Sequence, residues 1–186
     1  MKRASRGFTL IELMVVVALA AILLALAVPS FSAMLASYRT SAQLNGWIGD
    51  AQYARAEAIK RGQTVHMCIS SNSTGAAPSC TSGASDWSVG WIVWQDVNAN
   101  GNVDPGEVLR AQGPFAAGYS FIDPVNGVSH IDFNREGFAP TLPASPVALA
   151  MNAPTATTGT VPHYAAICRV GRARATSAQP STADCS

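Results

Sequence analysis

Four groups of residues in this 186-residue chain have types and spacings that can do chemistry. Asp96, Asn98 and Asn100, followed by Gly101 and by Glu107, fit a calcium-loop pattern at every required position. Their oxygens could converge on the ion, with Glu107 bidentate. Strand-like runs flank the loop, Trp91–Gln95 before it and Val108–Gln112 after it, where that pattern wants helices. Asn and Asp beside Gly are also turn residues, so a β-hairpin is the expectation. Arg169, Gly171, Arg172 and Arg174 make the one basic cluster outside the N-terminus. A planar guanidinium donates two parallel hydrogen bonds to phosphate. Gly171 would let a backbone come close, and strand alternation would point Arg172 and Arg174 to one side. Cys68, Cys80, Cys168 and Cys185 include no C-x-x-C pair, which speaks against a zinc site or a redox dithiol. Glu12 is the one charge between Phe8 and Val28, a run of 21 residues.

Other chemistry is thin. No G-x-S-x-G elbow, metal triad or phosphate loop occurs, and no cofactor is implied. His66, His130 and His163 are scattered and read as structural or exposed. Asp123, Asp132 and Glu136 suit turns and strand edges. An enzyme finds little support. Charged residues make up 12% of the chain against about 25% in ordinary globular proteins, which suggests a membrane, secreted or assembled protein. A net charge of +1 excludes a whole-surface attraction to nucleic acid, so any such binding needs a local patch.

The elements that must position these groups begin with a helix. Lys2, Arg3 and Arg6 precede the apolar run, which as a helix would be about 31 Å long, enough to cross a bilayer with its basic end cytoplasmic. The small residue Gly7 comes before the run, so cleavage there would leave the apolar helix on the mature chain. Glu12 then either snorkels to the interface or pairs with a Phe8 α-amino group freed on a neighbouring subunit. Apolar residues continue at helical spacing through Phe31, Met34, Leu35, Tyr38, Ala42, Leu44, Ile48, Ala51 and Ala58, and Gly62 after Lys60 and Arg61 reads as the C-cap. Strand signals follow at Thr64–Ser70, Trp87–Gln95, Val108–Gln112, Tyr119–Ile122, Val128–Asn134, Val147–Asn152 and Tyr164–Val170. Pro154–Pro162 and the tail 175–186 read as loop.

Gly7-Phe8-Thr9-Leu10-Ile11-Glu12-Leu13, with the apolar run to Val28 and Pro29, resembles the class III signal of type IV pilins and type II secretion pseudopilins. The resemblance implies that a prepilin peptidase cuts between Gly7 and Phe8 and N-methylates Phe8. It makes Glu12 the assembly residue and Pro29 a helix kink. Loss of Lys2, Arg3 and Arg6 leaves 9 basic against 11 acidic residues, a formal −2. Ala54–Val65 and Ile131–Phe138 are similar to the branch holding pseudopilin H and minor pilin T. Gly171-Arg172-Ala173-Arg174 resembles the G-R-x-R element associated with DNA binding in minor pilin T.

The expected fold is therefore α+β and pilin-like: a leader at 1–7, a transmembrane and assembly helix at 8–29, and a periplasmic domain at 30–186. That domain comprises an amphipathic helix at 30–61, an antiparallel β-rich part at 64–174 and the tail. In the periplasm the four cysteines favour disulfides. Three connectivities exist, and the sequence-local one, Cys68–Cys80 with Cys168–Cys185, is the expectation at about 3 kcal/mol per closed loop. The implied function is a minor pilin, held in the inner membrane and assembled with other pilins near a pilus tip, binding DNA for uptake. The rival is pseudopilin H of type II secretion; a calcium-dependent adhesive tip is a third reading.

Overall fold

The computed structural model describes residues 8–153, 163–181 and 185, without the side chains at 26–30, 32 and 33. Gly7 with the rest of the leader, and Pro154–Pro162, lie outside the described residues. Helix α1 spans Leu10–Arg61. It starts at Thr9, whose hydroxyl accepts from the Glu12 amide at 3.3 Å, and ends at Gly62, whose φ of 65° is the left-handed cap a glycine adopts without strain. Among the described residues no helix is long and apolar enough to cross a membrane. The span expected over 8–29 falls partly on undescribed side chains.

The domain-facing stripe of α1 is Ala36, Thr40, Leu44, Trp47, Ala51, Ala54 and Ala58, steps of three or four that keep one face inward. This corrects the sequence expectation. Phe31, Met34, Leu35, Tyr38 and Ala42 are exposed, on helix faces that the domain does not cover. Trp47, absent from the expected stripe, is fully buried. No described side chain before Ala36 is buried, so a chain beginning at Phe31 keeps every residue of the core.

Two antiparallel sheets pack on this stripe. The first has the order β3-β2-β1-β5, from Val65–Ile69 (β1), Trp91–Trp94 (β2), Val108–Gln112 (β3) and His130–Phe133 (β5). The second has the order β4-β6-β7-β8, from Ser120–Ile122 (β4), Val147–Asn152 (β6), His163–Ile167 (β7) and Ala173–Thr176 (β8). Every residue of β2 is buried, because Trp91 and Val93 face the main core while Ile92 and Trp94 lie under the 96–107 loop with Cys68. The run expected as one strand over 87–95 is divided: Trp87–Val89 is a 3-10 turn, and Gly90, at φ 115°, lets the chain pass so close to the Gln112 carbonyl that a Cβ would sit 2.7 Å from it. The tail expected as loop from 175 instead continues strand β8 to Thr176, since Ala165 and Tyr164 of β7 pair with Ala175 and Thr176. The cysteines join as Cys68–Cys80 and Cys168–Cys185, each with Cα atoms 5.6 Å apart.

Candidate functional site

At the start of α1, Thr9 and Glu12 stand as the first and last residues of a T-x-x-E capping arrangement, a local signal that sequence reading passed over. A carboxylate in the first turn also meets the positive end of the helix dipole. From Phe8 to Ala25 every described side chain is exposed, Phe8 at 84% and Leu10 at 76% among them. Among the described residues nothing covers this apolar surface.

At the other end of α1, the segments Ala54–Val65, Ile131–Phe138 and Gly171–Arg174 meet in space. Ala54 and Ala58 turn into the core. Glu57 accepts from Arg61 at 2.6 Å and from Lys60 at 3.3 Å; the Arg61 hydrogen bond holds its carboxyl below the usual carboxylate range against the opposing effect of burial. Arg61 also reaches Gln95 Oε1 at 2.7 Å, and Gln95 bonds Gln63. Arg55 lies across two turns: its Nε would be 2.9 Å from a Cβ on Gly137 and 3.1 Å from one on Gly171. That Nε is buried, and no described residue accepts a hydrogen bond from it.

The arginine turn is correspondingly well tied. Gly171 N–H donates to Cys168 O at 2.8 Å, Cys168 N–H to Arg172 O at 3.2 Å, and Ala139 N–H to Arg169 O at 2.7 Å. Gln52 of α1 donates to Ala173 O at 3.2 Å, and Arg169 to Pro140 O at 2.9 Å. Gly171 has φ 75°, and a Cβ there would stand 2.0 Å from Gly137 O. The close approach that Gly171 permits is thus to the 134–137 turn, rather than to an external ligand as the sequence suggested. Ala173 points into the core, leaving Arg172 exposed and Arg174 half-buried beside it.

The Asp96–Glu107 loop closes a hairpin between β2 and β3. Its acceptors are occupied by the loop's own donors. Asp96 receives the amides of Asn100 and Gly101, Asn98 that of Asn100, and Asn100 that of Asn102. Glu107, 5% exposed, receives Val97 N–H at 2.8 Å and Asp104 N–H at 2.9 Å. Among the described residues no group of three or more His, Cys, Asp or Glu is arranged to hold a metal ion.

Two of the histidines read as scattered are in fact neighbours, because β1 pairs with β5 so that His66 stands opposite Asp132 and Cys68 opposite His130. His66 Nδ1 is 2.7 Å from Asp132 Oδ1, and its ring stacks on Trp94 with centroids 4.7 Å apart. These residues line a cleft of about 490 Å³ with His130. Burial raises the Asp132 pKa, but the His66 hydrogen bond and the charges of His66 and His130 outweigh it, leaving the carboxyl below its ordinary value. A depressed folded pKa stabilises the fold above the unfolded value, about 3.9, and that contribution is lost as pH falls through the folded value. Acid unfolding should therefore be shallower below about pH 4 in Asp132→Asn than in the parent. Identical pH profiles in denaturant titrations would show that the pair contributes nothing. Asp123 and Glu136 lie in turns, where Asp123 accepts the Val125 amide.

Comparison with known proteins adds the relatives. Residues 43–168 match the family model of type II transport protein GspH, and residues 2–28 match the prokaryotic N-terminal methylation motif. The first match ends at Cys168, before the Gly171–Arg174 turn. No curated protein matches the chain. Type IV minor pilin FimU of Pseudomonas aeruginosa strain PAO1 has a similar structure. Its monoclinic crystal form is 20% identical over 82% of this chain and 96% of that one, with a TM-score of 0.51. The hexagonal form gives 20% identity over 80% and 98%, with a TM-score of 0.49. At that identity the likeness is one of fold, and the fold is an α+β pilin fold.

Proposed function

Because the chain belongs to the GspH family of minor pilins and pseudopilins, we propose that it is a minor pilin assembled near the tip of a type IV pilus, where it binds DNA for uptake. Proteins of this kind are structural components rather than enzymes. In this reading a prepilin peptidase cuts between Gly7 and Phe8 and methylates Phe8. The Phe8–Val28 helix holds the chain in the inner membrane, with the domain in the periplasm, until assembly with other pilin subunits. Their helices then cover the exposed apolar surface, and Glu12 pairs with a neighbour's α-amino group to set the register.

The observation that carries the DNA reading is the exposed Arg172 on a turn that is fastened on both sides, by Gly137 and by the Cys168–Cys185 disulfide. A cation on a rigid turn loses little loop entropy on meeting a phosphate. Arg172→Ala with Arg174→Ala, in a chain beginning at Phe31, should weaken binding of a short duplex about tenfold at low salt and flatten its salt dependence. A parent chain that shows no binding would favour the second reading, pseudopilin H of type II secretion, to which the family description points.

A further inference from the structure

The sequence shows three neighbouring arginines; the fold adds to them. Lys60 and Arg61 are paired with Glu57, and Arg110 with Asp50 at 2.7 Å. Arg39 lies 16 residues before Arg55 on α1, about 24 Å away along the axis. The other five described basic residues, Arg55, Arg135, Arg169, Arg172 and Arg174, surround the contact of Gly137 with Gly171. No described carboxylate forms an ion pair with Arg55, Arg135, Arg169 or Arg172. One acid is present in the same turns, Glu136, which is exposed and lies 3.5 Å from Asn134 Nδ2.

Arg135 is exposed, in a turn whose form is dictated by Asn134. The Asn134 carboxamide oxygen accepts the amides of Glu136 at 3.0 Å and Phe138 at 2.9 Å, and Gly137 N–H donates to Asn134 O at 2.8 Å. Chain geometry keeps the Cα atoms of Arg135 and Arg172 within about 15 Å. Phosphates follow one another by about 3.4 Å of rise per strand, so the two side chains can reach phosphates a few nucleotides apart. Both sit on tight turns, and base edges are read by a helix or ribbon inserted in a groove.

Resting on the DNA-binding reading above, we propose that Arg135 is a further phosphate-binding residue of this surface. The surface then recognises the phosphodiester backbone without regard to base sequence.

The test is fluorescence anisotropy of the chain beginning at Phe31 with two labelled duplexes of equal length and unrelated sequence, over a sodium chloride series. Arg135→Gln should weaken both duplexes alike, about tenfold at low salt, and make the slope of log K against log salt less negative by about one. Glu136→Gln should strengthen both, a gain that misfolding could not produce. If Arg172→Ala with Arg174→Ala abolishes binding while Arg135→Gln and Glu136→Gln leave it unchanged, Arg135 is not a contact and the DNA reading survives. A strong preference for one duplex would overturn the backbone-only recognition. A parent chain that binds neither duplex overturns this proposal and the DNA reading together.

Discussion

Alanine at Gly171 should destabilise the domain by about 3 kcal/mol or more, a fall of roughly 6–12 °C in melting temperature for a chain of this size. Two effects add. The left-handed φ of 75° costs an L-residue about 1–2 kcal/mol. The new Cβ would also lie 2.0 Å from Gly137 O, a backbone atom that no rotamer change can move aside. The 134–137 and 168–172 turns must then separate, which pulls Arg135 away from Arg172. Gly127→Ala is the control, since Gly127 has φ 60° with open space around its Cα. It should lose only the conformational part, about 1–2 kcal/mol. Thermal melts in which the two variants fall equally would mean that the turn-to-turn contact is not rigid.

Trp47→Ala is expected to lose about 3–5 kcal/mol, the range for deleting a large buried aromatic. Trp47 is fully buried and meets Trp87 and Phe121 edge-on, at 5.5 and 5.6 Å between centroids, so it links α1 to the 3-10 turn and to the second sheet. Its indole N–H is buried, and no described residue accepts a hydrogen bond from it. Trp47→Phe therefore removes an unsatisfied donor along with one ring, and should cost no more than about 2 kcal/mol. Denaturant unfolding compares the two directly. A phenylalanine variant as weak as the alanine one would show that the full indole outline, and not its burial alone, holds the helix in place.

Features with a local code were readable from sequence. The helix end was marked by Lys60, Arg61 and Gly62, and α1 stops there because a glycine can take the left-handed cap. Strands β1, β3 and β6 lie where β-branched and apolar runs sit between turn residues. The stripe of α1 was misjudged for a physical reason: a helix with apolar residues on several faces does not say which face the domain covers. Phe31 and Met34 are as apolar as Leu44, yet they lie where the domain offers no surface. Strand β8 was missed because Ala173–Thr176 is four residues long with small alanines as its apolar positions, too weak a signal by itself, and it is held by its ladder to β7.

The same division runs through the candidate site. The Gly7–Glu12 motif, the helix that follows, the hairpin character of 96–107 and the Arg169–Arg174 cluster are properties of contiguous residues. Near neighbours in the chain stay neighbours in space, so spacing alone carried them. Sequence alone could not place the turn of Arg135 against the turn of Arg172, Arg55 beneath both turns, or His66 against Asp132. Those pairs lie tens of residues apart, and strand order, register and the packing of Gly137 on Gly171 bring them together. A one-residue slip of β5 against β1 would send Asp132 to the other face of the sheet and part it from His66.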